Sequence, residues 1–256
     1  MKFATWNVNS VRQRQGHVLD WLAREQPDLL MLQEIKCETG LFPAQAFRDA
    51  GYEAVVVGQK SYNGVATLAR IPAEVRHRAL PGLNDPEPPA RYVEVEAAGI
   101  VFGNLYLPNG NSGGTAGYEA KLEFFSALTA RAREMLAAGQ DFVLAGDYNV
   151  CPTTDDLDPG TLSDEDALVR PESRAAWRRL LWCGLTDAVR ALHPDERIRT
   201  FWDYQAGAWR RDIGLRIDHA LLSPRLAERL VSAMPDREER GKEQPSDHVP
   251  LVVVLD

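Results

Sequence analysis

A short segment, Phe142–Asn149, constrains the fold of this chain most strongly, because an apolar run stops there abruptly on polar residues. The apolar part predicts a buried strand that ends at Gly146. Side chains two residues apart on an extended chain point the same way, so Asp147 and Asn149 would project together from the strand end. A carboxylate and a carboxamide in that arrangement can hold a cation, or a phosphate through that cation. The alternative is an ordinary turn, since Gly-Asp-x-Asn is also common turn chemistry.

Other apolar runs end in the same way. Leu29–Leu32 leads into Glu34, and Ile100–Leu107 carries Tyr106 near its end. The polar side chains at the predicted strand ends are Asn7, Glu34, Tyr106, Asp147 with Asn149, Asp218, and Asp247 with His248. Their oxygen atoms suit Mg²⁺ or Mn²⁺ rather than zinc, which prefers several His or Cys ligands. If the strand ends converge, the set is typical of metal-assisted cleavage of a phosphate ester.

The order of predicted elements indicates the fold class. Strands dominate, helices are interspersed, and the pattern predicts an α/β sandwich with antiparallel or mixed sheets. We predict a helix over Gln13–Glu25, a loop over Gly110–Gly117, a long loop over Cys151–Arg170 and a strand over Leu215–Leu222. The chain has 256 residues. It shows neither a tandem repeat nor a shift in composition, so we expect a single domain spanning residues 1–256.

Composition restricts the possible partners and the compartment. The formal net charge of -8 counts against tight, non-specific coating of nucleic acid, although a cation and a few arginines can still engage DNA locally. Three widely spaced cysteines suit neither a disulfide framework nor a zinc site. The sequence has no apolar run of membrane-spanning length and no apolar signal region at its start. We therefore expect a cytoplasmic protein without a membrane partner.

Six motifs, in order along the chain, resemble the exonuclease III family of abasic-site DNA endonucleases, within the endonuclease/exonuclease/phosphatase superfamily. They are Thr5–Ser10 (TWNVNS), Leu32–Cys37 (LQEIKC), Tyr106–Gly110 (YLPNG), Gly146–Asn149 (GDYN), Gly214–Asp218 (GLRID) and Pro245–His248 (PSDH). Together they span nearly the whole chain. The resemblance implies a four-layered, DNase I-like α/β sandwich, in which two packed mixed β-sheets are flanked by helices.

The resemblance also implies a Mg²⁺ site, with Mn²⁺ as a possible substitute. The candidate metal ligands are Asn7, Glu34, Asp147, Asn149, Asp247 and His248. Glu34 matches the principal ligand of the family, and Asn7 lies beside it. Asp147 matches a residue assigned either as general base for the attacking water or as a second metal ligand. Whether Asp147 or His248 deprotonates the water stays open.

The candidate catalytic residues are Tyr106, Asp147, Asn149, Asp218 and His248. By the resemblance, Tyr106 contacts the phosphate and assists the leaving oxygen, and Asn149 donates a hydrogen bond to a phosphate oxygen. His248 contacts the scissile phosphate, and Asp218 orients it through the other ring nitrogen. Fixed donors of this kind stabilise the charge that builds up at phosphorus.

The candidate substrate-binding residues are Lys36, Asn109, Lys121, Phe201, Leu215 and Arg216. Phe201 and Leu215 match residues that line a small pocket for a flipped-out sugar without a base, although core packing is the alternative for both. Asn109 matches a position near the phosphate. Lys121 and Arg216 would face the DNA, with a solvated surface position as the alternative.

The resulting expectation is a Mg²⁺-dependent DNA-repair enzyme that cuts double-stranded DNA 5′ to abasic sites. The resemblance adds 3′→5′ exonuclease and 3′-end-cleaning activities, and we expect a monomer. One alternative is a phosphatase or phosphodiesterase of the same superfamily that acts on a small or lipid phosphate. The other is a catalytically silent DNA-binding relative, which would have no need for the complete polar set.

Overall fold

The computed structural model describes residues 1–83, 85 and 87–256. The four prolines of segment 81–90 predict a loop, and Asn84 and Pro86 within it lie outside the described residues. Within the described part of the chain there are twelve strands: β1 (Lys2–Asn7), β2 (Leu29–Gln33), β3 (Glu53–Val57), β4 (Val65–Ala69), β5 (Ala73–His77), β6 (Tyr92–Ala97), β7 (Ile100–Tyr106), β8 (Phe142–Asp147), β9 (Thr186–Asp187), β10 (Asp218–Leu222), β11 (Leu230–Pro235) and β12 (Leu251–Leu255).

The described residues also form six α-helices and three short 3₁₀ segments. The helices are α1 (Val11–Glu25), α2 (Ala44–Asp49), α3 (Gly114–Ala137), α4 (Pro171–Leu181), α5 (Ala188–Leu192) and α6 (Pro224–Ala227). The 3₁₀ segments are Thr39–Leu41, Thr154–Asp156 and Arg237–Gly241. None of the helices in the described part combines the length and the apolar character that crossing a bilayer requires.

Two six-stranded mixed sheets form the centre of the fold. The first sheet has the order β11-β12-β1-β2-β4-β3 and the second β5-β6-β7-β8-β10-β9. The pairs β1–β2 and β7–β8 are parallel, and the other strand pairs are antiparallel. Alternating apolar side chains of both sheets, such as Phe3, Met31, Phe102 and Val143, meet in one buried cluster between them. The predicted sandwich of two mixed sheets is confirmed.

Helices cover the outer faces of both sheets. Helix α1 packs Trp21 and Leu22 against the first sheet, in a cluster that includes Trp6 and Leu32. Helices α3 and α4 cover the second sheet through a separate apolar cluster that includes Trp177. Helix–sheet–sheet–helix layering follows from strands that are apolar on both faces, because each face must be removed from water.

A polar link between the two sheets lies directly below their shared edge. The Gln33 side-chain amide donates to Asn104 Oδ1 at 2.8 Å and to Thr5 Oγ1 at 2.9 Å. The Asn104 amide in turn donates to the backbone oxygens of Ala66 and Leu32. Buried polar groups with partners in both sheets fix the position of one sheet relative to the other. Gln33 directly precedes Glu34, so this link also fixes the position of Glu34 at the end of β2.

Helix α1 begins at Val11, two residues before the predicted Gln13, and two further predicted boundaries are wrong. The loop predicted over Gly110–Gly117 ends earlier, because α3 begins at Gly114 after Gly113 adopts a left-handed φ of 82°. The strand predicted over Leu215–Leu222 begins only at Asp218, because Leu215 forms isolated bridges with Leu157 and Phe201 instead. Of these two, the first difference has a local cause, whereas the second depends on partners that are distant in sequence. The second one matters for function, since it turns the segment before Asp218 towards the sandwich edge.

Candidate active site

Strand register brings the polar strand ends together at one edge of the sandwich. In the first sheet, Asn7 pairs with Gln33, so Glu34 follows directly beside it. In the second sheet, Asp147 pairs with Tyr106 on one side and with Asp218 on the other. Parallel pairing of β7 with β8 carries both strand ends to the same edge. The Gly-Asp-x-Asn segment thus forms a local turn, with Asn149 N–H donating to Asp147 Oδ1, and that turn lies at the edge shared with the other polar strand ends.

Three buried side chains form the centre of the site. His248 Nδ1 lies 2.8 Å from Asp218 Oδ2, and His248 Nε2 lies 3.8 Å from Asp147 Oδ2. One ligand atom from each of the three residues lies within 4.8 Å of the others. Burial favours the neutral imidazole, but the charge and hydrogen bond of Asp218 outweigh it and raise the pKa of His248. Burial raises the pKa of Asp147, and the adjacent His248 opposes that shift.

Asn7 connects this centre to Glu34. Its side-chain amide donates to Glu34 Oε2 and to Asp147 Oδ2, both at 3.0 Å. The backbone N–H of Asn9 donates to Asn7 Oδ1 at 3.0 Å, which fixes the orientation of that amide. The other oxygen of Glu34 lies 2.8 Å from Lys36 Nζ, and Lys36 also donates to Asn9 Oδ1 at 2.6 Å.

Several of these residues have a backbone that L-amino acids rarely adopt. The φ angles of Glu34, Lys36 and Asn149 are 53°, 51° and 47°. Such left-handed conformations cost free energy and persist only where surrounding contacts impose them. Their concentration at one edge is typical of a functional site rather than of a loop without a role.

Tyr106 lies beside Glu34 and Asp147 and is stacked by an arginine. The Arg91 guanidinium lies 4.6 Å from the centre of the Tyr106 ring, and Arg91 Nη1 donates to the Tyr106 carbonyl at 3.1 Å. Burial, followed by the charges of Glu34 and Asp147, raises the pKa of Tyr106 well above its ordinary value. Tyr106 is therefore a neutral phenol that can donate a hydrogen bond.

Two asparagines meet next to this tyrosine. Asn109 Nδ2 donates to Asn149 Oδ1 at 2.9 Å, and Asn149 Nδ2 donates to the Leu107 carbonyl at 2.9 Å. Asn149 N–H donates to Asp147 Oδ1 at 2.9 Å. These bonds fix both amides at the site, and each Nδ2 retains a second N–H.

Phe201 and Leu215 form an apolar wall beside His248. The Phe201 ring lies 4.9 Å from the His248 ring, centre to centre, and Phe201 forms a bridge with Leu215 and another with His248. Phe201 is half-buried, whereas Leu215 is buried against Cys151 and Ile217. The two predicted pocket residues are thus neighbours in space, and the wall continues directly into the polar centre.

The structure corrects the prediction that Arg216 contacts DNA. Its side chain is fully buried and forms ion pairs with Asp156 at 2.7 Å and Asp187 at 2.8 Å. It also lies 3.0 Å from Nδ1 of His219, whose Nε2 lies 3.0 Å from the Val150 carbonyl. Both carboxylates need this arginine because a buried charge without a partner is costly. Arg216 therefore lies in the interior, out of reach of DNA.

Lys121 was also predicted to face the DNA, and the structure contradicts this too. The side chain is fully buried. Its ammonium donates to the carbonyls of Asn109 at 3.0 Å, Asn149 at 2.6 Å and Ala167 at 3.0 Å. Burial lowers the pKa of Lys121 to about 7, while three carbonyl acceptors match the three N–H bonds of the charged form.

Asp247 precedes His248 in the chain and contacts Asn9, a residue that was not among the predicted site residues. Its Oδ1 accepts a hydrogen bond from Asn9 Nδ2 at 3.1 Å. Asn9 thus connects Asp247, Lys36 and Asn7. Arg91 was also missed, because nothing next to it in sequence indicates a site. Asn9 did carry a signal, since it lies within the TWNVNS motif.

The donor set fits a hard divalent cation. The edge contains the carboxylates of Glu34, Asp147 and Asp218 and the amide of Asn7, but a single imidazole. Asp218 Oδ1 is buried and has no hydrogen-bond partner among the described residues. Oxygen-rich sites of this kind suit Mg²⁺ or Mn²⁺, whereas zinc would require more nitrogen or sulfur donors.

Comparison with known proteins agrees with this geometry. Residues 4–248 match the Endonuclease/Exonuclease/phosphatase family. The chain belongs to the endonuclease/exonuclease/phosphatase family. Together with the nuclease relatives described next, this membership identifies the chain as a phosphodiester hydrolase. The residues matched include both Asn7 and His248, so the family match covers the complete edge described above.

Relatives within the endonuclease/exonuclease/phosphatase family cover the whole chain. The exodeoxyribonuclease III of Haemophilus influenzae is 33% identical over 98% of both chains. A solved AP endonuclease from Archaeoglobus fulgidus is 36% identical with a TM-score of 0.94, covering 100% of this chain and 99% of that one. A 3′ phosphatase from Neisseria, bound to a product DNA hairpin, is 37% identical with a TM-score of 0.94 and the same coverage.

Proposed function

We propose that residues 1–256 form one catalytic unit that repairs DNA by Mg²⁺-dependent hydrolysis of phosphodiester bonds. The enzyme incises double-stranded DNA 5′ to abasic sites and also acts at 3′ ends, as a 3′→5′ exonuclease and in removal of blocking groups. The observation that carries the proposal is the buried group of Asp147, His248 and Asp218, joined through Asn7 to Glu34. The relatives named exodeoxyribonuclease III and AP endonuclease support the choice of DNA as substrate.

Glu34 and Asn7 would hold the metal ion, with Asp147, Asn149, Asp247 and His248 as the other candidates around it. When bound, Mg²⁺ would neutralise charge on the phosphate and favour ionisation of a bound water, and Mn²⁺ would substitute for it. Lys36 Nζ lies 2.8 Å from Glu34 Oε1, so this carboxylate is paired with a positive charge in the structure. Glu34 is half-buried and therefore accessible from the edge.

His248 and Asp147 would handle the proton of the attacking water. Asp218 keeps His248 oriented through Nδ1, so Nε2 faces Asp147 and the space in front of it. The two groups are coupled, so the proton acceptor in this arrangement is the pair, which shares one proton. Burial of both groups strengthens their interaction with a phosphate brought into the site.

Tyr106, Asn109 and Asn149 would hold the phosphate and the leaving oxygen. Tyr106 remains a neutral phenol and donates its hydrogen, while Arg91 on its ring fixes its orientation. The second N–H of each asparagine amide is the donor for phosphate oxygens. Preorganised donors of this kind stabilise the transition state because they need no rearrangement during the reaction.

Local charge would allow this acidic protein to bind DNA. A groove of about 430 Å³ adjoins the site, and Asn9, Arg12, Lys36 and Lys60 are among its lining residues. Positive side chains in such a groove contact phosphates without reading sequence. Phe201 and Leu215 would enclose the extruded sugar, since a residue without a base has lost its stacking and is cheaper to extrude. We also propose that the enzyme works as a monomer in the cytoplasm.

A substrate panel tests this function against a superfamily phosphatase of small or lipid phosphates and against a silent DNA-binding relative. Duplexes with one abasic site, with a 3′ phosphate, and without damage are incubated with Mg²⁺, beside an inositol phosphate. We expect incision of the abasic duplex and processing of the 3′ end, with no release of phosphate from the inositol compound. Turnover of the inositol phosphate alone would support the phosphatase, and DNA binding without turnover would support the silent relative.

A further inference from the structure

Lys121 is one of the buried charged groups that the proposed chemistry leaves unused. It lies in α3, one layer below the site, and its side chain is fully buried. The acceptors of its three hydrogen bonds are backbone carbonyls of Asn109, Asn149 and Ala167. A buried ammonium is expensive unless every N–H has a partner, and here all three do.

The three carbonyls belong to three separate segments of the chain. Asn109 follows β7, Asn149 follows β8, and Ala167 ends the long loop after the site. Each carbonyl points inward at the ammonium, so the side chains of Asn109 and Asn149 remain available at the edge. Asn109 Nδ2 then bonds to Asn149 Oδ1 at 2.9 Å.

The backbone of Asn149 needs such a contact. Its φ of 47° is in the left-handed region, which is unfavourable for a non-glycine residue. The Asn149 N–H is held by Asp147 Oδ1, and its carbonyl is held by Lys121 at the shortest of the three distances, 2.6 Å. Together these two bonds fix the peptide units on both sides of the strained residue.

Packing around the Lys121 side chain is equally restrictive. Gly110 has a φ of 89°, and a Cβ at that position would lie 2.9 Å from Lys121 Cδ and 3.0 Å from the Ala167 Cβ. A side chain at residue 110 would therefore push the lysine stem away from its acceptors. The absence of a Cβ at this residue is part of how the ammonium is held.

We infer that Lys121 is a positioning residue, which sets the two asparagine amides at the phosphate without touching the substrate. The inference rests on the proposed function, because it assigns those amides to the phosphate. If the amides shift, the transition state loses donors while the groove that binds the rest of the DNA is unchanged. The rate of the chemical step should fall, whereas affinity for DNA should remain.

The test compares Lys121→Met with Gly110→Ala, which keeps the ammonium but displaces its stem. Arg131→Met is the matched control, because Arg131 pairs with the buried Glu94 at 2.7 Å in the outer layer, away from the site. Single-turnover and steady-state incision of an abasic duplex are measured at several salt concentrations, with thermal unfolding of each variant. We expect kcat to fall about 10- to 100-fold in both test variants at unchanged KM, since small displacements have effects of that size.

The control variant, Arg131→Met, should unfold at a lower temperature and retain the wild-type kcat for incision. Wild-type kcat in the folded test variants would overturn the inference. A raised KM with a salt slope reduced by roughly 0.9, the value for one phosphate contact, would overturn it as well by showing direct DNA contact. A wild-type protein that leaves the abasic duplex intact would instead overturn the proposed function, and this inference with it.

Discussion

His248 illustrates at the residue level how environment assigns a role to a side chain. Asp218 and Asp147 contact opposite ring nitrogens, but only Asp218 makes a short hydrogen bond, at 2.8 Å. The histidine beside it in sequence, His219, lies on the other face of the same strand against Trp177 and Tyr148. Strand alternation accounts for this opposition, because period-2 geometry does not depend on distant contacts.

Asp218→Asn should lower the incision rate while leaving the fold intact. The amide can still contact His248, but it no longer provides the charge that raises the pKa of the ring. We expect kcat on an abasic duplex to fall about 100-fold or more, within the range typical of acid–base groups. Asp141→Asn, which changes an aspartate whose pair with Arg225 lies at the surface, is the control. A rate within five-fold of wild type would show that the contact has no catalytic role.

His219 should make stability depend on pH below neutrality. Burial, followed by the charge of Arg216, lowers its pKa to about 4, so the folded protein holds the ring neutral. Between pH 6.5 and 4 the unfolded chain binds more protons, and stability therefore falls as the pH is lowered. From pH 6.5 to 5 we expect a loss of about 2 kcal/mol from this group, measured by denaturant unfolding.

His219→Gln is the comparison for this pH effect. Glutamine retains a donor for the Val150 carbonyl and an acceptor for Arg216, but it does not titrate. The loss of stability between pH 6.5 and 5 should shrink by most of that amount. An unchanged pH dependence in the variant would show that other groups cause it.

The partners of the basic residues could not be predicted from the sequence. Lys121 and Arg216 are charged residues near family motifs, which favours a phosphate contact. Their actual partners come from elsewhere, and the acids around Arg216, Asp156 and Asp187, are 60 and 29 residues away in the chain. Without the fold, a buried arginine and an exposed one look alike in sequence.

At the level of elements, the buried ion pairs of Arg216 connect the long loop after β8 to β9 and to the segment before β10. Asp156 caps its own 3₁₀ segment through Thr153 and also accepts from Arg190 at 2.6 Å. Burial acts to raise the pKa of Asp156, but the arginines outweigh it and hold that pKa well below its usual range. These ion pairs therefore hold the loop after β8 in place beside the site.

Arg216→Met should destabilise the protein strongly, because it leaves two buried carboxylates without their partner. We expect a loss of about 3–5 kcal/mol in denaturant unfolding, as for other broken buried pairs. Arg225→Met removes an exposed pair with Asp141 and should cost less than about 1 kcal/mol. Equal effects of the two substitutions would mean that the buried network contributes little.

Substitution by alanine should have opposite effects on stability at Gly146 and at Gly16. A Cβ at Gly146 would overlap the carbonyl oxygen of Leu105 in the neighbouring strand, so Gly146→Ala should force β7 and β8 apart. Gly16 lies inside α1 with nothing within 4 Å of an added Cβ. Gly16→Ala should therefore stabilise by about 0.5–1 kcal/mol. A neutral Gly146→Ala in thermal unfolding would show that the strand pair adapts without strain.

Strand ends were the most predictable elements, because apolar runs and their polar termini are local features. Strand β10 was predicted three residues too long, since Leu215 pairs with Leu157 and Phe201 rather than with the sheet. The segment Asp236–Glu243, which looks like a solvated run of charges, contains Glu239 and Arg240, both buried. Arg240 donates to the Trp202 carbonyl at 3.0 Å, a contact that no local pattern indicates.

At the level of the whole molecule, the site depends on the assembled sandwich. Its residues come from both sheets and from nearly the full length of the chain, from Asn7 to His248. Ser246 Oγ donates to the Asn7 carbonyl at 2.7 Å, and Trp6 Nε1 donates to the His248 carbonyl at 3.2 Å. The two ends of the chain thus meet at the active site, and no single segment contains enough of it to function alone.

The family resemblance predicted this long-range assembly, whereas the residues alone predicted only its parts. Individual motifs such as GDYN are compatible with turns, and convergence depends on strand order. Order β12-β1-β2 in one sheet and β7-β8-β10 in the other follows from packing both apolar faces of the central strands. That packing is a property of the complete chain.

The most direct test of the central claim is the position and metal dependence of DNA incision, with Glu34 as the probe. A duplex with one abasic site is cut under single-turnover conditions over a range of Mg²⁺ concentrations by wild type and Glu34→Gln, after both are shown to unfold at similar temperatures. We predict Mg²⁺-dependent cleavage immediately 5′ to the abasic site, slowed about 100-fold or more in the variant. Equal rates in both proteins, or wild-type cleavage that is unaffected by removal of the metal, would contradict the account.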